Sequence, residues 1–325
     1  MSKEHPMAHS SLHFGISPKL QELICLLGQG YVFEEGEEVL NKTLGLEISA
    51  KQIQRVSEHY GQVIEDQQEE YIENRQEAPM LSLSQKDESI YAMMDGSMVY
   101  TREHGWKEMK VGRLFSGHDC VPIQERRNLI TQSIYVCDLG DHKSFFAKWD
   151  AYTDRYRKKI CIADGAKWIW NWLDANDPET IQILDYFHAV EKAAQFAAYQ
   201  YPEEQERIEW LETQKERLLN NQVQLVIETL EKTQSISKES EKSRIDVIRY
   251  YQNNIKRMDY KTYLESGYLI GSGAIEAAHR NVVQQRLKLS GQRWSAKGAQ
   301  QIVNLRAYKK SERWSEVIQF IKSAA

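Results

Sequence analysis

At 325 residues, with 41% hydrophobic and 10% aromatic side chains, the chain has room for two or three compact units and the composition of an ordinary soluble globular protein. A net charge of −5 excludes a global basic field for nucleic acid, and no apolar run approaches the length of a membrane span. The opening stretch "MSKEHPMAHSSLHF" lacks the apolar core of a secretion signal, so a cytoplasmic protein with no membrane partner is expected. Cys25, Cys120, Cys137 and Cys161 are scattered singly, which excludes the paired spacing of zinc or redox sites and predicts reduced, small hydrophobic residues.

The first predicted element is a short helix in "SPKLQELICLLGQG", capped by Ser17, opened by Pro18 and carrying Leu20, Ile24 and Leu27 at helical spacing up to Gly28 and Gly30. A second helix is expected in "EEGEEVLNKTLG" and a longer one from Ser49 through "AKQIQRVSEHYGQVIEDQQEEYIENRQ". The short break "LGLEIS" between them has helix-turn-helix spacing, which would present Lys51, Gln52, Gln54 and Arg55 to DNA; many small bundles share the spacing without a ligand.

After a linker at "QEAPM" the pattern changes to strands in "SIYAMMDG", "WKEMKVGRLF" and "TQSIYVCDLG", the first two joined by a turn around "REHG". A helix in "DHKSFFAKWDAYTDRY", a strand in "KKICIADG", a helix in "AKWIWNWLDAN" and a strand in "IQILDYFH" follow. The order β-β-β-α-β-α-β predicts a mixed sheet with helices on its faces, in which ligands gather at strand ends. From about Val190 to Lys261 the chain reads as wholly helical, with Leu211, Leu218 and Leu225 at sevenfold spacing that predicts a core or seam.

Asp95 and Asp164 each end an apolar strand-like run and are each followed by glycine, 69 residues apart. A single Asp-Gly belongs in a turn. Two of them in one sheet can bring both carboxylates to one edge, where they repel unless a cation joins them. Hard divalent cations take oxygen ligands, so a third carboxylate is expected. Glu276 is the candidate, in the first turns of a helix that "GSG" and Ser272 open and that ends near Gly291; an isolated Glu near a helix start more often compensates the helix dipole, so the residue needs support from elsewhere.

The charge is uneven. From Gly271 onward ten Lys or Arg stand against three acids, whereas residues 61 to 90 hold eight acids and two bases. This basic end suggests an anionic partner bound at one place, through Arg280, Arg286, Lys288 and Arg293. Trp168 and Trp172, four apart, are expected to pack on the sheet with Trp170 turned away, while Trp294 beside the basic run is a candidate for DNA contact.

The segments "DGSMVY…REHGWKEMKVGRLF", "ADGAKWIW", "IQILDYFHAVEK" and "GSGAIEAAHRNVVQQRLKLSGQRWS" together resemble the DDE transposases of bacterial insertion sequences, most closely the ISKra-type group, over about residues 90 to 315. The resemblance implies an RNase H-like catalytic core interrupted by an α-helical insertion, and the helices read from the residues before it make an all-α N-terminal domain. The corresponding boundaries are 1–78 for the N-terminal helices, 79–189 for the first part of the core, 190–262 for the insertion and 263–325 for the core return. It implies that Asp95, Asp164 and Glu276 form the metal-binding catalytic triad, and the 112-position separation of the last two fits the insertion. Asp185 and His188 match an Asp-x-x-His signature in which the histidine lies close to the active site. At the seventh position after Glu276, where related families often carry a base, this chain has Val283.

The expected activity is cleavage at the element's ends and strand transfer by in-line attack of a 3′-hydroxyl on a phosphodiester, with two Mg²⁺ ions about 4 Å apart and Mn²⁺ as a substitute. DNA, as terminal repeats and target, is the expected partner, with a homo-oligomer formed on it because two ends must be joined. The alternatives are an RNase H-like nuclease that cuts without transferring, and a domesticated DNA-binding protein with a dead site, against which the intact acidic triad argues.

Overall fold

The computed structural model describes residues 13–74, 89–124 and 127–324; the linker expected at "QEAPM" lies outside them. The fold is mixed α/β, with five strands in one sheet ordered β5-β2-β1-β6-β7 and a separate β3-β4 hairpin. Two compact units divide the chain: Met1–Ile90, Gly96–Arg157 and Ile275–Ala325 make the first, and Tyr91–Asp95 with Lys158–Ala274 make the second.

Helices α1 (Pro18–Gly30), α2 (Phe33–Leu44) and α3 (Ala50–Glu73) begin the first unit. The caps are those the sequence announces. Ser17 accepts from the Leu20 N–H and Ser49 from the Gln52 N–H, both at 3.3 Å, and α2 stops because Gly45 turns left-handed at φ +62°. Strands β1 (Ile90–Thr101), β2 (Gly105–Ser116), β3 (Cys120–Gln124), β4 (Arg127–Ile130) and β5 (Ile134–Asp138) follow, then α4 (His142–Thr153). Strands β2 and β5 pair antiparallel from Lys110 opposite Asp138 to Leu114 opposite Ile134. The β3-β4 hairpin was not expected from the sequence, because its five- and four-residue strands are too short to show a period.

Strand β1 also differs from expectation. It does not end at Asp95-Gly96 but runs on to Thr101, so Asp95 sits within a strand and Gly96 makes no turn. A Cβ at Gly96 would lie 2.3 Å from the Glu108 side chain, which would have to shift.

The second unit holds β6 (Lys159–Ala163), α5 (Lys167–Asn176), β7 (Ile181–Leu184) and helices α6 (Tyr186–Gln200), α7 (Glu204–Leu219), α8 (Val223–Lys232), α9 (Lys238–Asn254) and α10 (Tyr260–Glu265). Strands β6 and β7 run parallel, with Ile160 opposite Ile181 and Ala163 opposite Leu184. The leucine heptad is not a seam. The chain turns between α7 and α8, with Asn221 at φ +59°, so Leu218 is buried on one helix and Leu225 is 45% exposed on the next. On α5 the aromatic order is the reverse of that expected: Trp170 is buried with Ile169 and Leu173, and Arg257 lies 4.7 Å over its ring.

The chain then enters α11 (Gly273–Ala278), a π-helical turn (His279–Gln284), α12 (Gln285–Leu287), α13 (Ala296–Lys310) and α14 (Trp314–Ser323). Within the first unit the N-terminal helices share one core with the last two: Leu20, Ile24, Ile53, Tyr60 and Ile64 pack with Leu305, Tyr308, Val317 and Ile321. Each fully buried side chain of this kind contributes about 1.5–3 kcal/mol. Helices α3 and α13 approach so closely that a Cβ on Gly61 would stand 2.1 Å from the Gln301 carbonyl oxygen, and Asn304 donates to the Gly61 carbonyl at 3.1 Å.

Candidate functional site

In the second unit, β1 brings Asp95 and the end of β6 brings Asp164, on neighbouring strands of the sheet. Asp164 is half-buried and leads into a turn in which Gly165 has φ +101°, a conformation that excludes most side chains. Burial, and after it the charge of Asp95, raise the Asp164 carboxyl above its ordinary value, although its Oδ1 accepts from the Ala166 N–H at 3.0 Å.

Helix α9 reaches this turn. The Tyr250 hydroxyl donates to the Asp164 carbonyl oxygen at 2.6 Å, and its ring would lie 2.9 Å from a Cβ on Gly165. The neighbouring Tyr251 hydroxyl donates to the Ala189 carbonyl at 2.7 Å, which fastens α9 to α6. Tyr250 lies 86 residues from Asp164, and no local pattern in the sequence marks it.

Because Ala163 pairs with Leu184 in parallel register, Asp164 and Asp185 leave adjacent strands at the same end, and the Asp185 N–H donates to the Ala163 carbonyl at 2.8 Å. Asp185 is fully buried and caps α6: its Oδ1 accepts from Phe187 and His188 N–H at 2.6 and 3.1 Å. Its Oδ2 accepts from the Ser272 N–H at 2.8 Å and from the Ser272 hydroxyl, and lies 3.1 Å from His188 Nδ1. A carboxylate offers about four acceptor positions. Asp185 has spent them on the cap and on Ser272.

Burial alone would raise the Asp185 carboxyl; the contacts with His188 and Ser272 outweigh it and hold the group below its ordinary range. Asp185 in turn, by direct contact against the opposing effect of burial, then by its charge together with that of Asp164, pushes His188 up to about 9. His188 is therefore a cation at neutral pH. Its Nδ1 or Nε2 and an Asp185 oxygen lie within 4.8 Å of one another. The filled acceptor positions and positive charge make them better suited to hold and polarise than to ligate.

The other predicted residues belong to the first unit. Glu276 is exposed on α11, four residues after Ser272, and Arg280 is exposed in the π-helical turn. The buried Arg306 donates to two carbonyls of this turn, Val282 at 2.8 Å and Asn281, and to the Gln29 carbonyl of α1 at 2.6 Å.

Arg286 corrects the expectation of phosphate contact. It is 1% exposed, lies 4.6 Å from the Phe33 ring centroid and 4.7 Å from that of Trp294, and donates to the Gly28 carbonyl at 3.0 Å. Trp294, at 7% exposure, is the other half of this packing and presents little surface to DNA. The sequence shows the basic run, but only packing decides that Arg286, Arg306 and Arg313 face inward while Arg280, Lys288, Arg293 and Lys297 face solvent.

Lys288 is held by a 3.1 Å hydrogen bond to the Ser97 hydroxyl. On α3, Lys51 and Arg55 are exposed, with Arg55 5.2 Å over the Phe14 ring. Arg55 and Lys297 line one cavity; Arg102, Arg286 and Arg293 line a second of about 250 Å³, and Glu58 and Ser295 belong to both. Cations distant in sequence thus share one surface. Arg102 was missed from the sequence because it sits in a turn, where charge is commonplace.

No protein-family model matches the chain, and no curated protein matches it.

Proposed function

We propose that this chain is a DDE transposase with an RNase H-like core, which cuts DNA at the ends of its element and joins the freed 3′-hydroxyl to a target. The observation that carries the reading is the pair Asp95 and Asp164, on adjacent strands and close enough for one charge to raise the other's carboxyl. A half-buried, mutually repelling carboxylate pair is costly by itself and suits a hard divalent cation. The donors are oxygens, as Mg²⁺ or Mn²⁺ requires.

Asp95, Asp164 and Glu276 would hold two such ions. Bound there, they would activate the attacking oxygen and stabilise the developing charge on both oxygens of an in-line displacement. Within the chain, Tyr250 fixes the backbone of Asp164, and Asp185 keeps His188 charged, which places a cation beside the acids to attract a phosphate oxygen. Ser272 is anchored on Asp185. Arg293 and Lys297, with Arg55 of α3, supply phosphate contacts, and Lys51 extends them. The working form is a homo-oligomer on DNA in the cytoplasm, because two ends must be joined.

The test is cleavage and strand transfer on terminal-repeat DNA in Mg²⁺ by wild type, Asp95→Ala, Asp164→Ala and Glu276→Ala. Each variant is expected to lose two or more orders of magnitude in rate, the scale of a lost electrostatic stabiliser, while DNA binding survives. Substantial activity in any variant removes that residue from the triad. Cleavage without transfer from pre-nicked ends reduces the enzyme to a nuclease.

A further inference from the structure

The β1-β2 hairpin of the first unit presents an aromatic face to solvent. Trp106 is 63% exposed, Tyr100 41% and Met98 45%, and the two rings meet edge to face with centroids 5.5 Å apart. Exposed apolar residues scattered singly need no explanation, but three together on the first two strands of a sheet do.

The tip that carries them is fixed. The Thr101 hydroxyl donates to the Gly105 carbonyl at 2.9 Å and accepts from the His104 N–H at 3.3 Å. The Arg102 N–H donates to the Trp294 carbonyl at 2.8 Å, and Glu103 accepts the Ala296 N–H at 3.0 Å, so the turn is tied to the segment before α13.

The charges around this face favour an anion. Glu103 is engaged by a backbone donor, and Glu108 lies 3.1 Å from Lys110. Arg102 and Lys107 are exposed. Arg102 continues into the cavity that also holds Arg286 and Arg293, where three arginines stand against Glu34 and Glu58. A second copy of this chain docked symmetrically here would set like charges against each other. A duplex hides its base faces, whereas an unpaired strand offers flat bases to the rings and phosphates to the arginines.

We propose that Tyr100 and Trp106 form a stacking platform for unpaired nucleotides of single-stranded DNA, with Arg102 and Lys107 holding the adjoining phosphates. The inference rests on the reading of DNA as substrate.

The experiment is equilibrium binding of the full chain to a labelled oligothymidylate of about 12 nucleotides and to a blunt duplex of equal length, in EDTA. Trp106→Ala is expected to weaken the single strand about tenfold, Tyr100→Ala less, and Trp106→Phe to retain most of the affinity, with duplex binding unchanged. Equal loss on both DNAs, no loss on either, or absence of single-strand binding by wild type overturns the platform. So does a self-association that Trp106→Ala abolishes. These readings need no metal, so they fail or succeed separately from cleavage in Mg²⁺, which tests the acids.

Discussion

Tyr250 donates its hydroxyl to the backbone carbonyl of Asp164 across 86 residues of sequence, at 2.6 Å. The helical stretch after β7 therefore serves the turn at the end of β6. Tyr250→Phe keeps the ring against Gly165 and removes only the donor. The expected outcome is an intact fold, a several-fold rise in the Mg²⁺ concentration that half-saturates cleavage, and a smaller change in the rate at saturating metal, on the scale of one hydrogen bond worth about 1 kcal/mol. An unchanged metal profile removes Tyr250 from the positioning of Asp164.

Asp164 titrates above its ordinary value, with burial as the main cause and Asp95 the next. A carboxyl raised by folding keeps its proton where the unfolded chain has lost it. Its contribution to stability is largest in acid and is lost as pH climbs from about 3.8 through the raised value. Above the raised value the penalty is present in full. Asp164→Asn is expected to raise the melting temperature of the metal-free protein by about 2–4 °C, and Mn²⁺ to raise that of wild type while leaving the variant nearly unmoved. Equal metal responses in the two proteins would count against Asp164 as a ligand.

His188 titrates near 9, upward from 6.5, because Asp185 touches it. The stabilisation it contributes is complete below about 6.5 and fades as pH rises through about 9. Wild-type cleavage is expected to decline across the same upper range. His188→Gln should lower the rate at neutral pH and flatten that decline; an unaltered pH profile would show that the imidazolium has no part in the reaction.

Arg286 and Arg293 are seven residues apart and face opposite ways, one buried between Phe33 and Trp294, the other at the surface. Burial, and then the charge of Arg306, lower the Arg286 guanidinium to about 10, so it is strained as a cation and held by its rings and the Gly28 carbonyl. Arg286→Ala leaves a cavity and is expected to cost about 3 kcal/mol of stability, seen as an earlier urea midpoint. Arg293→Ala should leave that midpoint in place and weaken DNA binding, with a salt dependence shallower by about one unit of slope. The reverse pattern would exchange their roles.

Gly61→Ala tests the close approach of α3 and α13, where the added Cβ meets the Gln301 carbonyl oxygen. Neither helix backbone can yield without separating the pair, so a loss of about 1–3 kcal/mol is expected in denaturant unfolding, and a neutral result would show that the helices sit farther apart.

Much of this molecule is written locally. Ser17 and Ser49 announce helices because a hydroxyl can take a free N–H, Gly45 ends one because glycine turns left-handed without a Cβ clash, and the apolar runs before Asp164 and Asp185 read as strands. Asp95 was legible as a candidate for chemistry, yet its Asp-Gly pair suggested a turn where the strand continues, since a two-residue signal cannot report the partner strand that extends it. Periodicity placed the wrong tryptophans on the core side of α5, because three aromatic residues in five positions leave the face undetermined until Arg257 and the sheet choose Trp170. Charge and spacing named a basic segment and two acids, and the family resemblance a third; which cations are consumed inside, which tyrosine crosses from α9, and which carboxylate is filled as a cap were decided by long-range packing. Those contacts join residues tens or hundreds of positions apart, and short-range sequence patterns carry no record of them.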